Sequence, residues 1–235
     1  MPGTLYLVPN LLGIVAPSDV LPARTITVAR ALRHWVVESP KPARAFLKSL
    51  DLAVPIATLD VQALPPGADT AALTALLAPA RAGADMGVLS DAGCPGVADP
   101  GAAIVAAAHT AGIRVVPLVG PSSLLLALMA SGMNGQSFAF HGYLPVAPAE
   151  RAAALRRLED ESRALRRAQL FIETPYRNEA MLKTIGEALK PGTRVVVAAD
   201  LTLPTESIER RTAADWRTAD PARYAKRPAI FILEA

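Results

Sequence analysis

VLSDAGCPGVADPG, Val88–Gly101, is the stretch that decides the fold. It runs out of a short apolar, β-branched segment, Met86–Ser90, that reads as a strand, and into an alanine-rich pattern, Gly101–Ala111, that reads as a helix. Gly93, Gly96 and Gly101 free the backbone of the loop, while Pro95 and Pro100 stiffen it. Asp91 and Asp99 put two carboxylates beyond the carboxyl end of the strand, where open α/β sheets bind ligands. Asp99 has a plainer alternative as the cap of the following helix, with Pro100 at the first helical position. Helix capping alone does not require three glycines and two prolines in so short a loop.

A second loop repeats the pattern. VGPSS, Val119–Ser123, links the candidate strand Val115–Val119 to the helix Ser122–Ser131. Free amides and the hydroxyls of Ser122 and Ser123 at a helix start suit a carboxylate or phosphate. An ordinary amino-terminal cap by either serine is the alternative. Leu124 stands where a nucleophile elbow needs its second glycine, so the loop is not one. The chain has neither a G-x-G-x-x-G dinucleotide fingerprint nor a P-loop.

Outward from these loops, strands near five residues alternate with helices. Thr4–Val8, Val36–Glu38, Val54–Thr58 and Phe138–Phe140 complete the strands of the first half. Val20–Arg33, Pro42–Leu50 and Thr70–Arg81 complete its helices. Such alternation predicts βαβ units and a mostly parallel sheet with helices on both faces. Pro145 and Pro148 mark a boundary. Beyond it come a charged helix at Ala149–Arg167, strands at Leu170–Glu173, Val195–Ala198, Ile208–Arg210 and Ala229–Leu233, and a helix at Glu179–Leu189. Closely spaced strands with fewer helices predict a mixed sheet. The expectation is an α/β chain of two α/β domains, 1–142 and 143–235, with a ligand cleft between them.

Composition sets outer bounds. The 235 residues are 51% hydrophobic and 19% charged, which excludes a disordered chain. A net charge of +3 is too small for a dedicated nucleic-acid coat. One cysteine, Cys94, excludes an internal disulfide and fits a reducing cytosol. The start, MPGTLYLVP, lacks the basic region of a signal peptide, and the apolar run Val115–Met133 is broken by Pro117, Gly120 and Pro121. A cytoplasmic protein without a membrane segment is expected. His34, His109 and His141 lack ligand spacing, so no metal is expected.

These loops and their neighbours resemble the tetrapyrrole methylase superfamily of S-adenosylmethionine-dependent methyltransferases, in the branch of ribosomal RNA small subunit methyltransferase I. Val88–Gly101 is similar to the family's V-S-D-A-G-x-P-x-x-x-D-P-G loop. GTLYLVP (Gly3–Pro9), VVPLVGPSSLLLALMASG (Val115–Gly132), FAFHGYLP (Phe138–Pro145), LFIETPYR (Leu170–Arg177) and LTLPTESIERRT (Leu201–Thr212) carry the likeness along nearly the whole chain. The chain departs from the branch at three places. It has NLLGIVAPSDV after Pro9, ESPKPAR (Glu38–Arg44) where the branch has E-D-T-R, and Ala199, Asp200 and Leu203 around the branch's E-L-T-K. The changed positions are polar ones that could hold ribosomal RNA, so a paralogue with another target stays open.

The resemblance implies a homodimer of two-domain subunits with S-adenosylmethionine in the cleft. It implies that Asp91, Ala92 and Gly93 meet the cofactor's amino-acid end together with Ser122 and Ser123. Pro9, Val97 and Ala98 are expected to line the ribose and methionine chain, and Ala198, Pro228 and Ala229 the adenine. The last three have plain strand packing as an alternative. Methyl transfer to a hydroxyl also needs a base. Glu38, Asp99, Glu173 and Glu206 are the candidates, each with an alternative as a cap, a solvated charge or an ion pair, and Tyr176 could orient the acceptor. An RNA substrate would meet arginines such as Arg24, Arg30, Arg33, Arg44 and Arg177. Arg156, Arg157, Arg163, Arg166 and Arg167 of the charged helix read as its solvated face. The expected function is methyl transfer to RNA at a ribose 2′-hydroxyl. The alternatives are a small-molecule acceptor such as a tetrapyrrole, or a regulator that binds the cofactor without catalysis.

Overall fold

The computed structural model describes every residue except Pro100, so the expected helix start at Pro100 lies outside the described residues. The chain divides into two compact units, Met1–Ser122 and Ser123–Ala235.

The first unit is a parallel sheet wound by helices. In chain order it holds β1 (Thr4–Leu7), α1 (Pro17–Val20), α2 (Ala23–Ala31), β2 (His34–Val37), α3 (Pro40–Ser49), β3 (Asp60–Ala63), α4 (Thr70–Leu76), α5 (Ala78–Arg81), β4 (Met86–Leu89), α6 (Ala102–Thr110) and β5 (Arg114–Pro117). The strands order as β3-β2-β4-β1-β5, every neighbouring pair parallel. Period-2 alternation sends Trp35 and Val37 of β2 into one core with Phe46 and Leu47 of α3. Val36 faces the other way, into a core with Leu73, Leu76, Ile104 and Met86. Both faces of the sheet are thereby buried, as a parallel sheet requires.

Gly87 sits against Trp35: a Cβ there would fall 2.5 Å from the indole ring. Gly87→Ala overpacks a closed core, and we expect it to cost about 1–3 kcal/mol of unfolding free energy, read by urea denaturation.

The second unit contains α7 (Ser123–Ser131), β6 (Phe138–Tyr143), α8 (Pro148–Leu165), β7 (Ala168–Glu173), α9 (Asn178–Ala188), β8 (Arg194–Ala199), β9 (Ser207–Thr212), α10 (Ala213–Thr218) and β10 (Ala229–Glu234). Its sheet orders as β6-β7-β10-β8-β9, with β6 and β7 parallel and the other pairs antiparallel. Phe171 and Phe231 stack in its core, ring centroids 5.5 Å apart. α8, α9 and α10 cover that core through Leu155, Leu158, Met181, Ile185 and Trp216.

Several elements differ from the sequence reading. The division between units falls at Ser122/Ser123, ahead of the expected 142/143, because α7 packs on β9 and β10. Val54–Thr58 is not a strand. Pro55 fixes an entry into a 3-10 turn at Ile56–Thr58, and β3 follows at Asp60. The helix expected over Val20–Arg33 is two, with Leu21 and Pro22 between them. α10 was not anticipated; Thr212 and Asp215 build a capping box at its start.

Candidate active site

β1 and β4 lie side by side, yet the chain leaves them in opposite directions. From β1 it crosses over β4 to reach β2, and from β4 it crosses over β1 to reach β5. This makes their carboxyl ends the topological switch point, where the helical connections part and leave a crevice. Ser90–Gly93 leaves β4 there and Pro9–Asn10 leaves β1.

Asn10 ties the two loops together. It is 5% exposed. Its side-chain amide donates to the carbonyls of Ser90 (2.9 Å) and Asp91 (3.0 Å). Its backbone N–H donates to the carbonyl of Gly93 at 2.8 Å, and its Oδ1 accepts from the N–H of Leu11. The sequence reading did not single out Asn10. A short amide side chain directly after a strand and ahead of two leucines was the available signal.

Of the expected cofactor residues, Asp91, Ala92, Val97 and Ala98 are exposed on the β4 loop, and Gly93 is buried beneath them at φ +69°. Ala98 adopts φ +65°, left-handed backbone that alanine rarely takes, and Val97 is 47% exposed. An exposed valine next to a strained alanine is a costly surface arrangement, of the kind that persists at ligand sites. The Asp91 N–H is already engaged, donating to Glu38 Oε2 at 3.0 Å, and Asp91 Oδ2 accepts from the Ser39 hydroxyl at 2.8 Å.

Pro9 is buried rather than lining an open surface. Gly120 of the VGPSS loop packs on it so closely that a Cβ at Gly120 would lie 2.4 Å from the proline ring. Thr25 of α2 holds the same loop by donating to the Val119 carbonyl at 2.7 Å. Ser122 ends the first unit and Ser123 opens α7, both half-buried.

Glu38 follows β2 and Asp99 closes the β4 loop. They share a narrow crevice at the carboxyl ends of β2 and β4 with Ser90, Pro95 and Gly101. Burial, the Glu38 carboxylate and, more weakly, Asp91 push the Asp99 carboxyl up to about 6, with the Ser90 hydroxyl partly offsetting them. Asp99 does not cap α6. That helix starts at Ala102 with Gly101 at its N-cap and no side-chain cap. The Cys94 thiol is pushed up by burial and by Asp99, which keeps it protonated and unsuited to nucleophilic attack.

Glu173, Ala198, Glu206, Pro228 and Ala229 lie in the second unit. Glu173 ends β7, Ala229 opens β10 opposite it, and Ala229 pairs in turn with Ala199 beside Ala198. The ladder itself accounts for the burial of Ala198 and Ala229, while Pro228 is exposed. Glu173 is an ion-pair partner: one oxygen accepts from Arg177 Nε at 2.8 Å, and the other is buried without a hydrogen-bond partner among the described residues. Arg177 is thereby committed to a carboxylate. Glu206 is exposed and accepts from the Thr202 N–H at 2.8 Å, closing a turn. Tyr176 is 83% exposed. Arg30 and Arg33 donate to main-chain carbonyls near helix ends. Two arginines of α8 pair with its own acids, Arg157 with Glu161 and Arg163 with Asp160, while Arg151 is buried and donates to Thr184 Oγ1 at 3.0 Å. Among the described residues no cluster could hold a metal ion, and no helix is long and apolar enough to cross a membrane.

The model of the tetrapyrrole (corrin/porphyrin) methylases matches residues 21–216. The chain belongs to this family, and it is a methyltransferase. A ribosomal RNA small subunit methyltransferase I of Xylella fastidiosa is 32% identical over 235 residues, covering 99% of this chain and 81% of that one. The protein of the same name from Escherichia coli O157:H7 is 32% identical over 206 residues, covering 88% of this chain and 68% of that one. Among solved structures the methyltransferase CobJ superposes with a TM-score of 0.64 at 22% identity, covering 99% of this chain and 94% of that one. That likeness bears on the fold, and it agrees with two sheets flanked by helices.

Proposed function

We propose that this methylase-family chain transfers a methyl group from S-adenosylmethionine to a ribose 2′-hydroxyl of RNA. The observation that carries this reading is the pairing of Glu38 and Asp99 at the switch-point loop. The relatives named ribosomal RNA small subunit methyltransferase I supply the acceptor class. The exposed stretch Asp91–Ala92 and the apolar surface of Val97 and Ala98 fit a ligand with one zwitterionic and one apolar part, and the cofactor roles of Ser122 and Ser123 rest on the resemblance. Pro9 acts from below by fixing the VGPSS loop. The cofactor roles of Ala198, Pro228 and Ala229 rest on the resemblance alone.

When bound, S-adenosylmethionine supplies a methyl group activated on a sulfonium. A hydroxyl acceptor loses its proton as the new O–C bond forms, and we assign that proton to Asp99. Its raised carboxyl is basic enough to accept a proton and still ionised at neutral pH. Glu38 acts on Asp99 through its charge and holds the Asp91 N–H. Glu173 and Glu206, tied into an ion pair and a turn, take no part in the proton transfer.

A cytoplasmic homodimer completes the reading. Leu125 and Met129, four residues apart on α7, are 52% and 80% exposed, apolar area that a second copy would cover. Sedimentation of the purified protein should give twice the chain mass. The acceptor is tested by radiolabelled methyl transfer into total RNA, small-molecule extract and protein. Label in RNA that survives alkali as a 2′-O-methylated dinucleotide is the expected result. Label confined to the extract would overturn the RNA acceptor.

A further inference from the structure

We propose that the hollow between α3 and the loop after β1 is a subsite for one unstacked nucleobase of the acceptor RNA, with a row of cations on α3 beside it for the backbone phosphates. The inference rests on the RNA reading above. The hollow has a volume of about 410 Å³ and is walled by Leu11, Leu12 and Ile14 on one side and Phe46 on the other. Asp91 and Ala92 of the switch-point loop border it, so whatever sits there lies next to the expected site of methyl transfer. Ile14 is 100% exposed, an isoleucine turned to water at the mouth of an apolar hollow.

The helix sorts its residues by face. At 3.6 residues per turn, Ala43, Phe46, Leu47 and Leu50 point at the core, and Pro42, Ala45 and Ser49 point at the hollow. Lys41, Arg44 and Lys48 then form a third stripe, next along the helix surface from Ala45, with Arg44 also bordering a separate hollow beside Leu59 and Val61. All three are exposed, and among the described residues none is in an ion pair. Elsewhere the arginines of this chain are repeatedly neutralised: Arg177 by Glu173, Arg227 by Asp200, Arg211 and Arg223 by Glu209. A row of three uncompensated cations alongside an apolar slot is the combination that single-stranded nucleic acid uses, phosphates on the charges and a base against the apolar wall. Asp91 adds specificity. Ser39 engages one of its oxygens, and the other, which accepts no hydrogen bond among the described residues, can accept from an exocyclic amino group.

The test uses the whole purified protein, a hairpin RNA with an unpaired loop, a fully paired RNA of equal length, and S-adenosylhomocysteine as the cofactor probe. Ala45→Trp fills the hollow from an exposed helix position, and Ile14→Asp places a charge at its mouth. Each is expected to weaken hairpin binding by roughly tenfold or more, the scale of losing one stacked base, while changing S-adenosylhomocysteine affinity less than about twofold. Replacing Lys41, Arg44 and Lys48 together by Ala is expected to lower the slope of log affinity against log salt by about 2, at roughly 0.7 per phosphate contact. The hairpin should bind the parent tighter than the duplex. Hairpin affinity unchanged in both Ala45→Trp and Ile14→Asp would overturn the subsite while leaving the RNA reading intact. A parent that binds S-adenosylhomocysteine but neither RNA would overturn the RNA reading itself, and the subsite with it.

Discussion

Asp99→Asn is expected to lower kcat by about 10²–10⁴-fold, the range removed with a positioned general base, while leaving the affinity for S-adenosylmethionine nearly unchanged. Asparagine keeps the size and the polar contacts of the side chain but cannot accept the acceptor's proton. In the parent, kcat should rise with pH through about 6, where the Asp99 carboxyl ionises, and then level off. The variant should lose that step. Glu38→Gln should shift the step to lower pH rather than abolish it, because it removes one of the charges that raise Asp99. A parent-like pH step in Asp99→Asn would remove Asp99 from the proton transfer.

The same group bears on stability, with a definite sign. The folded-state carboxyl titrates near 6 against an ordinary value of 3.8, so the folded protein binds this proton more tightly than the unfolded chain does. The Asp99 contribution therefore makes stability fall as pH rises from about 4 to 6, and the deficit persists above that window. Asp99→Asn has no such charge to hold. Its melting temperature at pH 7–8 should exceed that of the parent, while at pH 4 the two should converge. A more stable and nearly inactive variant would separate a functional charge from a packing role.

The first unit was legible in the sequence because its strands are buried on both faces and its loops carry glycine and proline at their turns. Met86–Leu89 is buried at every position, Thr4–Leu7 and Arg114–Pro117 are only partly buried but lie in apolar runs that end at loops, and those loops located Asp91, Gly93 and Asp99 by residue type. What the sequence could not show was which loops meet. Asn10 and Gly93 are bridged across 83 positions of chain only because β1 and β4 are neighbours in the sheet, and strand order is not written in local pattern. The carboxylates show the same limit. Glu38, Asp99, Glu173 and Glu206 looked alike as acids near strand ends. Burial and the neighbouring charge single out Asp99, the Arg177 guanidinium engages Glu173, and a turn amide engages Glu206. The strand misread at Val54–Thr58 had the right β-branched content but a proline that set a 3-10 turn, with the true strand in the more polar Asp60–Ala63.

Gly93→Val is expected to weaken S-adenosylmethionine binding by roughly tenfold or more, whereas Cys94→Ser should leave it within about twofold. The two positions are adjacent, and the contrast comes from backbone and not from bulk. Gly93 sits at φ +69°, and the nearest atom to a Cβ there would be Leu12 Cδ2 at 3.4 Å, an ordinary contact. Space is thus available, but the left-handed conformation costs an L-residue roughly 1–2 kcal/mol, and a β-branched one more. The loop escapes that cost by rotating Gly93, which breaks the hydrogen bond from the Asn10 N–H to the Gly93 carbonyl. The Ser90 and Asp91 carbonyls then leave the Asn10 amide, and the exposed backbone of Asp91–Ala92 loses its fixed position. Cys94 bears none of this. Its thiol is protonated and donates to the Pro121 carbonyl at 3.5 Å, a contact a serine hydroxyl keeps. Calorimetric titration of the three proteins decides between the two effects. Parent-like affinity in Gly93→Val would show that the loop binds no cofactor through its backbone. Lost turnover with intact binding in Cys94→Ser would instead require a covalent role for the thiol.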